Sequence, residues 1–388
     1  MKAERNKTID FLPQDAPEYL ARCLRVAQDV PLDAVCDRTI CGDTFQVAPH
    51  LPRAFADLLI VDPPYNLTKE FAGGAFRRMT DANYAAFTRA WIELLLPLLK
   101  PNASIYVCCD WRSSPIIGLT LKEYFRLQNR ITWQREKGRG AQHNWKNGME
   151  DIWFATRTDD YTFHVDAVKM RRRVRAPYRA DGQPKDWEDT PDGKFRNTYP
   201  SNFWDDISVP YWSMPENTAH PTQKPEKLLA KLILASSDPG GIVLDPFSGS
   251  GSTAVTARKL GRRFVAIERS EQYCAWAEKR LEMLRRSVEE LPNVEAELYR
   301  GLLADYAREK GGHVIVKGLR NATDFDLEYQ MAAINRGIWA ELETVFLPAS
   351  VEYQHFSSTM VREMIRYRQP LEKYVPRAVA EELKQKTE

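Results

Sequence analysis

Four consecutive residues, Asp62-Pro63-Pro64-Tyr65, carry groups that can act on an amino group. The Asp62 carboxylate and the Pro63 carbonyl can each accept a hydrogen bond from such a group. Acceptors for both hydrogens favour the pyramidal, nucleophilic nitrogen, so they stabilise a transition state in which that nitrogen attacks an electrophile. Neither proline has an N–H that competes for these acceptors, and the Tyr65 ring offers a face for stacking. A proline-rich strand exit with a buried tyrosine is the alternative interpretation.

A glycine-rich segment, DPFSGSG at residues 245–251, lies between an apolar run and a helical pattern. Gly249 and Gly251 would let the backbone turn tightly and approach a ligand closely. Glu268 stands 19 residues after Gly249, at the end of the next apolar run. Its carboxylate can accept hydrogen bonds from two ribose hydroxyls, so the pattern favours a nucleotide-like cofactor. A plain glycine turn between a strand and a helix is the alternative.

A third motif, HPTQKP at residues 220–225, stands just before the helical pattern that leads to the glycine-rich segment. Thr222 offers a hydroxyl and Lys224 a positive charge close to the expected helix start. By residue chemistry alone, a helix cap and a solvated charge would look the same.

The elements around these motifs alternate between strands and helices. The first motif follows the apolar run ADLLIV, the glycine-rich segment follows GIVL, and RRFVAIE ends on Glu268. ASIYVCC, NRITWQ and MEDIWFAT are further strand patterns, while EKLLAKLILAS and residues 271–290 have helical spacing. This alternation predicts an α/β fold with a doubly wound sheet.

Composition narrows the class of protein. The 388 residues suffice for two or three domains, and 43% hydrophobic with 28% charged residues is ordinary for a globular protein. No apolar run approaches the ~20 residues of a membrane helix, and the start MKAERNKTIDFL lacks the apolar core of a secretion signal. The six cysteines show no paired metal-ligand spacing, so we expect reduced thiols, no metal site and a cytoplasmic protein.

A local basic patch is needed to indicate nucleic acid binding, because the net charge is only +2. Residues 158–217 lose regular periodicity and become basic and aromatic. Six basic side chains fall close together, at Lys169, Arg171, Arg172, Arg173, Arg175 and Arg179. Arginines can neutralise phosphates and read guanine edges, and aromatic rings can stack on bases. A solvated basic loop with a small aromatic core is the alternative.

Residues of about 38–285 resemble the beta group of amino-group DNA methyltransferases. The resemblance lies in DPPY, the basic insert, HPTQKP and FSGSG, in that order along the chain. In this group the catalytic motif precedes the cofactor motif and the recognition region lies between them. The resemblance implies a Rossmann-like, mostly parallel methyltransferase sheet with a circularly permuted motif order.

Substrates and site residues follow from the same resemblance. It implies S-adenosylmethionine as the cofactor, double-stranded DNA as the partner, a base flipped out of the duplex, and a cognate restriction endonuclease in some systems. Asp in the first position of DPPY is usual for methylation of adenine N6, whereas Ser is more typical of N4-cytosine enzymes, which remain the alternative. Catalysis is assigned to Asp62, Pro63, Pro64 and Tyr65, and cofactor binding to Asp43, Thr222, Lys224, Asp245, Phe247, Ser248, Gly249, Ser250, Gly251 and Glu268. The resemblance implies that Thr222 and Lys224 contact the methionine carboxylate and that Asp43 contacts the adenine of the cofactor.

Two other classes of function share some of these signals. RNA or a protein amide as the methyl acceptor fits the general chemistry, although such enzymes often carry Asn in the first motif position. A DNA-binding protein without catalysis would also use a basic insert. Loss of methyl transfer on removal of Asp62 separates the enzyme from such a protein.

The last segment, residues 291–388, resembles the C-terminal half of bacterial phosphopantetheine adenylyltransferase. The resemblance rests on the text from GLLADYAREKGG to AAINR, on ELETVFLP and on FSSTMVREMIR. In that family, the positions that match Gly318, Arg320, Glu328 and residues 357–359 help to bind ATP. The HxGH motif of that family is absent from this sequence. We therefore expect a docking or oligomerising segment beside a methyltransferase domain of residues 1–290, with adenylyl transfer or nucleotide binding as the alternative.

Overall fold

The computed structural model forms two compact units, residues 1–281 and 282–388, which are described separately. The boundary lies nine residues before the expected one. The structure describes residues 13–71, 74–135, 143–174, 179–180, 183–184, 187–190, 193–210, 216–218, 220, 222–289, 304, 307–308, 310–319, 322–350 and 364.

The first unit alternates strands and helices along the chain, as the sequence pattern predicts. Its strands are β1 (Arg38–Cys41), β2 (Ala56–Val61), β3 (Lys69–Phe71), β4 (Gly74–Phe76), β5 (Leu99–Cys109), β6 (Arg126–Gln134), β7 (Met149–Thr156), β8 (Met170–Arg173), β9 (Arg179–Ala180), β10 (Gln183–Pro184), β11 (Glu188–Thr190), β12 (Gly193–Thr198), β13 (Phe203–Trp204), β14 (Ile242–Asp245) and β15 (Arg263–Glu268). Its helices are α1 (Ala16–Ala21), α2 (Leu32–Val35), α3 (Thr44–Val47), α4 (Asp81–Leu95), α5 (Ser114–Tyr124), α6 (Glu226–Ser236), α7 (Ser252–Lys259) and α8 (Glu271–Glu289), the last of which crosses the unit boundary.

A sheet of eight strands organises this unit, in the order β1-β15-β14-β2-β5-β7-β6-β13. All neighbours are parallel except β7, which runs antiparallel to both β5 and β6. The chain leaves β14 towards β15 on one side and leaves β2 towards β5 on the other. The carboxyl ends of β14 and β2 therefore flank a topological switch point, where open α/β sheets bind ligands. The predicted doubly wound, mostly parallel α/β fold is confirmed.

Helices cover both faces of the sheet. The Tyr106 hydroxyl on β5 lies 2.8 Å from Ser236 Oγ in α6, on one face. On the other face, the Trp153 indole of β7 donates to the Ser114 carbonyl of α5 over 3.1 Å. Strand side chains alternate between faces, so β5 and β7 are buried by helices on both sides. Their near-continuous apolar sequences follow from this burial.

Helix α4 shows how the local sequence sets an element. Thr80 caps its start by accepting a hydrogen bond from the Asn83 N–H, and Asp81 places a negative charge in the first turn. The buried side chains recur at helical spacing and face the core of the unit, at Tyr84, Thr88, Trp91, Ile92 and Leu95.

The basic insert forms its own small antiparallel sheet, in which β8 pairs with β12 and β12 with β11. A short parallel contact between β13 and β6 joins the later part of the insert to the edge of the large sheet. The insert is therefore anchored beside β6, whose carboxyl end lies on the same side of the sheet as that of β2.

The second unit contains a parallel pair, β16 (Val314–Leu319) and β17 (Glu343–Pro348), joined by α9 (Ala322–Ile338). A small core of Ala304, Ala307, Ile315 and Leu342 holds it together. Arg320 and residues 357–359, expected near a nucleotide, lie outside the described residues. In the part of the chain that the structure describes, we find no helix that is long and apolar enough to span a membrane.

A close approach between α5 and β7 makes the fold testable. A Cβ atom added at Gly118 would lie 2.5 Å from the Trp153 ring, which is held by its hydrogen bond to Ser114. We predict that Gly118→Val destabilises the chain by about 1–3 kcal/mol through overpacking. Thermal unfolding followed by circular dichroism measures this. Leu119→Ala is the matched control, because Leu119 is 70% exposed on the same helix. Equal melting temperatures of the two variants would contradict the close packing of Gly118 on Trp153.

Candidate active site

The catalytic and glycine-rich motifs meet in one cavity of about 330 Å³ at the switch point. Residues Leu244 of β14 and Leu59 of β2 are paired in register, so the segments that follow these two strands start side by side. The cavity is lined by Asp43, Thr44, Phe45, Asp62, Pro63, Pro64, Tyr65, Leu67, Lys69, Phe76, Phe87, His220, Thr222, Pro246, Phe247, Gly249, Ile267, Glu268, Arg269 and Tyr273.

Two glycines shape the cofactor side of the cavity. Gly249 and Gly251 have φ angles of +53° and +74°, in the left-handed region that favours glycine. A Cβ atom at Gly251 would lie 2.5 Å from the Cβ of Ala277, so α8 can pack closely on this loop. A Cβ atom at Gly249 would lie 2.9 Å from Nε2 of His220. The loop therefore depends on glycine both for its turn and for its contact with HPTQKP.

Glu268 ends β15 at the rim of this loop. Its carboxylate accepts hydrogen bonds from the Gly249 N–H over 2.9 Å and from the Ser270 N–H over 2.7 Å. Burial raises the pKa of Glu268, and the backbone donors oppose that shift. The carboxylate lines the cavity with its position fixed from two sides. It is placed to accept the hydroxyl groups of a ribose.

The ten expected cofactor residues lie in three places. Five of them line the cavity, namely Asp43, Thr222, Phe247, Gly249 and Glu268. Asp245, Ser248, Ser250 and Gly251 form the loop behind this lining. The Asp245 carboxylate accepts from the Phe247 N–H over 3.0 Å, and burial raises its pKa to about 7. The remaining expected cofactor residue, Lys224, lies at the catalytic motif.

The residues present fit S-adenosylmethionine. One end of the cavity offers the Glu268 carboxylate to hydroxyl groups, and the aromatic side chains of Phe45, Phe87 and Phe247 supply apolar walls for a flat ring. The other end opens on Asp62 and the prolines. A ligand that occupies both ends can thus present a group to the catalytic motif.

The catalytic motif is held by hydrogen bonds from several elements. The Tyr65 hydroxyl donates to Asp62 Oδ1 over 2.9 Å. The Tyr84 hydroxyl of α4 donates to the Pro64 carbonyl over 3.0 Å, which ties up that oxygen and leaves the preceding carbonyl, of Pro63, as the candidate acceptor. Further along, the buried Asn66 donates its N–H to Ser113 Oγ over 3.1 Å. These contacts make the motif rigid before any substrate binds.

Lys224 reaches the same carboxylate from the HPTQKP motif. Its Nζ donates to Asp62 Oδ2 over 2.6 Å and to the Tyr65 hydroxyl over 3.0 Å. Burial alone would lower the pKa of Lys224, but the neighbouring Asp62 and Glu150 carboxylates outweigh it and raise the pKa. Lys224 is therefore a buried cation at the catalytic motif.

Glu150 is a site residue that sequence motifs did not reveal. It lies on the antiparallel strand β7, with Oε2 accepting from the Tyr65 hydroxyl over 3.3 Å and 3.5 Å from Lys224 Nζ. It also pairs with Arg135 at the end of β6. The sequence offered one signal for it, an acidic pair within the apolar pattern MEDIWFAT. Carboxylates buried in a strand require partners, so such a pair indicates a cation or a hydrogen-bond donor nearby.

Two of the expected DNA-contacting arginines, Arg172 and Arg173, are not among the residues that line the cavity. Arg171, Arg172 and Arg173 occupy β8, where Arg172 and Arg173 are exposed. Arg179 begins β9, and Arg175 lies outside the described residues. The structure thus places three of the five expected DNA-contacting arginines on one strand of the insert.

His220 provides a pH test of the site. Burial lowers its pKa from the ordinary 6.5 to about 4, so the folded state keeps the imidazole neutral while the unfolded chain binds a proton below about pH 6.5. Stability due to neutral His220 is therefore present above this pH and is lost as the pH falls towards 4. Between pH 7 and pH 5.5 the free energy of unfolding of the unmodified chain should fall because the unfolded chain takes up this proton. We predict that the fall is about 1 kcal/mol smaller in His220→Gln.

Denaturant unfolding at the two pH values measures this difference. Leu119→Ala is the control, because Leu119 is exposed and carries no titratable group, and it should give the same pH dependence as the unmodified chain. An identical pH dependence for His220→Gln would show that the imidazole is solvated in the folded state.

Comparisons with known proteins identify the family of this chain. The family model described as DNA methylase matches residues 56–279, more than half of the chain, and a model described as cytidylyltransferase-like matches residues 256–364. DNA adenine methyltransferase YhdJ of Escherichia coli (strain K12) is 33% identical over 268 residues, covering 66% of this chain and 86% of the relative. Type II methyltransferase M.HpaI of Haemophilus parainfluenzae is 31% identical over 250 residues, covering 63% of this chain and 74% of the relative.

Among solved structures, the M1.HpyAVI complex with S-adenosylmethionine is 25% identical, with a TM-score of 0.44, and covers 63% of this chain and 98% of that chain. The extent of the DNA methylase match and the YhdJ alignment decide the assignment. The chain belongs to the DNA methylase family of N6 and N4 methyltransferases, which use S-adenosylmethionine as the methyl donor.

Proposed function

We propose that this chain transfers a methyl group from S-adenosylmethionine to N6 of an adenine flipped out of duplex DNA at a specific sequence. One observation carries the proposal. The Asp62 carboxylate and the Glu268 carboxylate line the same cavity, at the carboxyl ends of strands β2 and β15. A cofactor held at Glu268 can thereby present its methyl group to an amino group held at Asp62.

The chain's own groups then act on the amino group. Bound S-adenosylmethionine supplies an electrophilic methyl group. The Asp62 carboxylate and the Pro63 carbonyl accept hydrogen bonds from the amino hydrogens and favour the pyramidal nitrogen as it attacks. Lys224 is already protonated and cannot take up the proton that the nitrogen loses. Asp62 is the acceptor in direct reach, and the Tyr65 ring supplies a face for the base.

Two observations favour adenine. Asp62 occupies the first motif position, where Asp is usual in adenine enzymes, and the Escherichia coli relative is named as a DNA adenine methyltransferase. N4 of cytosine is the second candidate, since its amino group has the same delocalised lone pair. A cognate restriction endonuclease belongs to the proposal, because M.HpaI is named as a type II methyltransferase. We propose a cytoplasmic site of action together with it.

Cofactor and DNA contacts complete the proposal. We assign cofactor binding to the cavity-lining residues and to the glycine loop behind them, with Asp43 at the adenine end and Thr222 near the methionine carboxylate. We assign DNA contact to the arginines of the insert, namely Arg171, Arg172, Arg173, Arg175 and Arg179. Their charges suit phosphates and guanine edges.

We propose no catalytic role for the second unit. Its family match supports a nucleotidyltransferase-like origin for this part of the chain. An imidazole pair that would stabilise a transferring phosphate is not encoded, because HxGH does not occur in the sequence. Docking or self-association is the role that we assign to it.

The function is tested by methyl transfer from labelled S-adenosylmethionine to DNA, followed by nucleoside analysis. We expect N6-methyladenine, and N4-methylcytosine in its place would transfer the assignment to the second candidate. Asp62→Ala should reduce the rate by at least about 100-fold, because an interaction made mainly in the transition state is lost.

Cofactor affinity, measured by calorimetry, should stay within about threefold in Asp62→Ala, because the carboxylate serves the amino group. Asp29→Ala is the matched control, since the Asp29 side chain is 92% exposed. Undiminished methylation by Asp62→Ala would exclude the assigned catalytic motif.

The role of Lys224 is tested separately. Because its ammonium lies between Asp62 and Glu150, we expect Lys224→Gln to leave two facing carboxylates and to lower kcat by about tenfold or more. The acid limb of the pH–rate profile should move to higher pH. Addition of Glu150→Gln should restore part of kcat, since it removes the unbalanced charge.

Cofactor binding distinguishes this role from the one that the resemblance assigns to Lys224. A positioning role leaves the Kd for S-adenosylmethionine nearly unchanged in Lys224→Gln. A large rise in that Kd with kcat unaffected would place Lys224 at the methionine carboxylate instead.

A further inference from the structure

We propose that residues 143–148, the described part of the segment after β6, belong to the DNA-binding surface, and that Trp145 stacks on a base where the target leaves the duplex. The proposal rests on the proposed function and adds a specific DNA contact outside the basic insert.

The segment emerges on the catalytic side of the sheet. Strands β2, β5 and β6 run in the same direction, and β7 runs against them. The carboxyl end of β6 and the start of β7 therefore lie on the side where β2 ends in the catalytic motif. Residues 143–148 lead directly into β7 and therefore stand on the edge that a DNA substrate must approach.

Hydrogen bonds tie the base of this segment to the catalytic motif. The Arg135 N–H donates to the Gly148 carbonyl over 2.6 Å and closes the segment. The Arg135 side chain pairs with Glu150, and Glu150 accepts from the Tyr65 hydroxyl over 3.3 Å. Trp145 is three residues from Gly148, so its Cα lies within about 11 Å of that closing bond. An indole at this distance can reach a duplex whose target base has entered the site.

Trp145 is 93% exposed, more than any other large apolar side chain among the described residues. Burial of a tryptophan is strongly favourable, and Trp91 and Trp133 of the same unit are 1% exposed. An indole left in water at the edge of a catalytic site is typical of a surface that is covered by a partner. Nucleic acid bases are suitable partners, because any base offers a flat face for stacking.

The charge of the segment selects DNA over an apolar protein partner. Residues 143–148, HNWKNG, contain Lys146 and no acidic residue, and both His143 and Lys146 are exposed. A lysine next to an exposed indole can neutralise a phosphate while the ring stacks.

A second aromatic and basic pair stands at the end of β5, on the same side of the sheet. Trp111 is 46% exposed, and the Arg112 guanidinium lies 5.1 Å from the centre of its ring. The end of β5 and the residues just before β7 thus both present an indole with a cation, which suits bases flanked by phosphates.

The test uses the full chain and a duplex that carries its methylation site, identified by sequencing the methylated DNA of a host that expresses the chain. Trp145→Ala should lower kcat/KM by about tenfold, as expected for the loss of one stacked base. Trp145→Phe should stay within about threefold of the unmodified chain. A duplex with a mismatch at the target base should restore most of the rate of Trp145→Ala, because extrusion of an unpaired base is easier.

Controls separate the possible failures. Leu119→Ala, also at an exposed apolar side chain, should behave as the unmodified chain, and circular dichroism with cofactor affinity checks that each variant is folded. If the unmodified chain methylates DNA and Trp145→Ala matches it, the stacking proposal is wrong and the proposed function stands. If Trp145→Ala methylates the mismatched duplex as slowly as the matched one, the stacking proposal is also wrong. Trp145 would then contact a protein partner or the sugar–phosphate backbone of the DNA. If the unmodified chain methylates no DNA, the proposed function itself fails.

Discussion

Strands β14 and β2 lie side by side and parallel, and the chain leaves them in opposite directions. Because no crossover helix can cover the gap between their carboxyl ends, the segments after them border an open cavity. One segment is the glycine loop, and the other is the catalytic motif. The contact between methyl donor and acceptor depends on this arrangement, which also explains why motifs almost 200 residues apart in the chain act at one place.

Charge balance in the catalytic half of the cavity depends on the same topology. Asp62 and Glu150 bring two carboxylates to one site. Lys224 pairs with both of them, and Arg135 pairs with Glu150. Removing one member of such a buried network leaves an uncompensated charge, which is why buried ion pairs are sensitive to single substitutions. Lys224 belongs to HPTQKP, and Arg135 directly follows β6. Ion pairs therefore connect the Asp62 carboxylate to HPTQKP on one side and, through Glu150 and Arg135, to the proposed DNA-binding surface on the other.

Local patterns in the sequence were sufficient to predict the fold and the two ends of the cavity. Asp62 and Glu268 each follow an apolar run, and strand ends are where α/β folds bind ligands, so both could be identified without coordinates. Glu150 could not, because its approach to Tyr65 depends on β7 inserting antiparallel between β5 and β6. Lys224 was found as a cation near the site, but only the packing shows which carboxylate it contacts. The exposure of Trp145 is likewise a property of the folded chain.

The most direct measurement is a crystal structure of the chain with duplex DNA and an unreactive analogue of the cofactor. The account predicts an adenine outside the helix, with its amino nitrogen about 3 Å from both an Asp62 carboxylate oxygen and the Pro63 carbonyl. The ribose of the analogue should lie on Glu268. An amino group bound away from Asp62, or a cofactor bound away from Glu268, would contradict it.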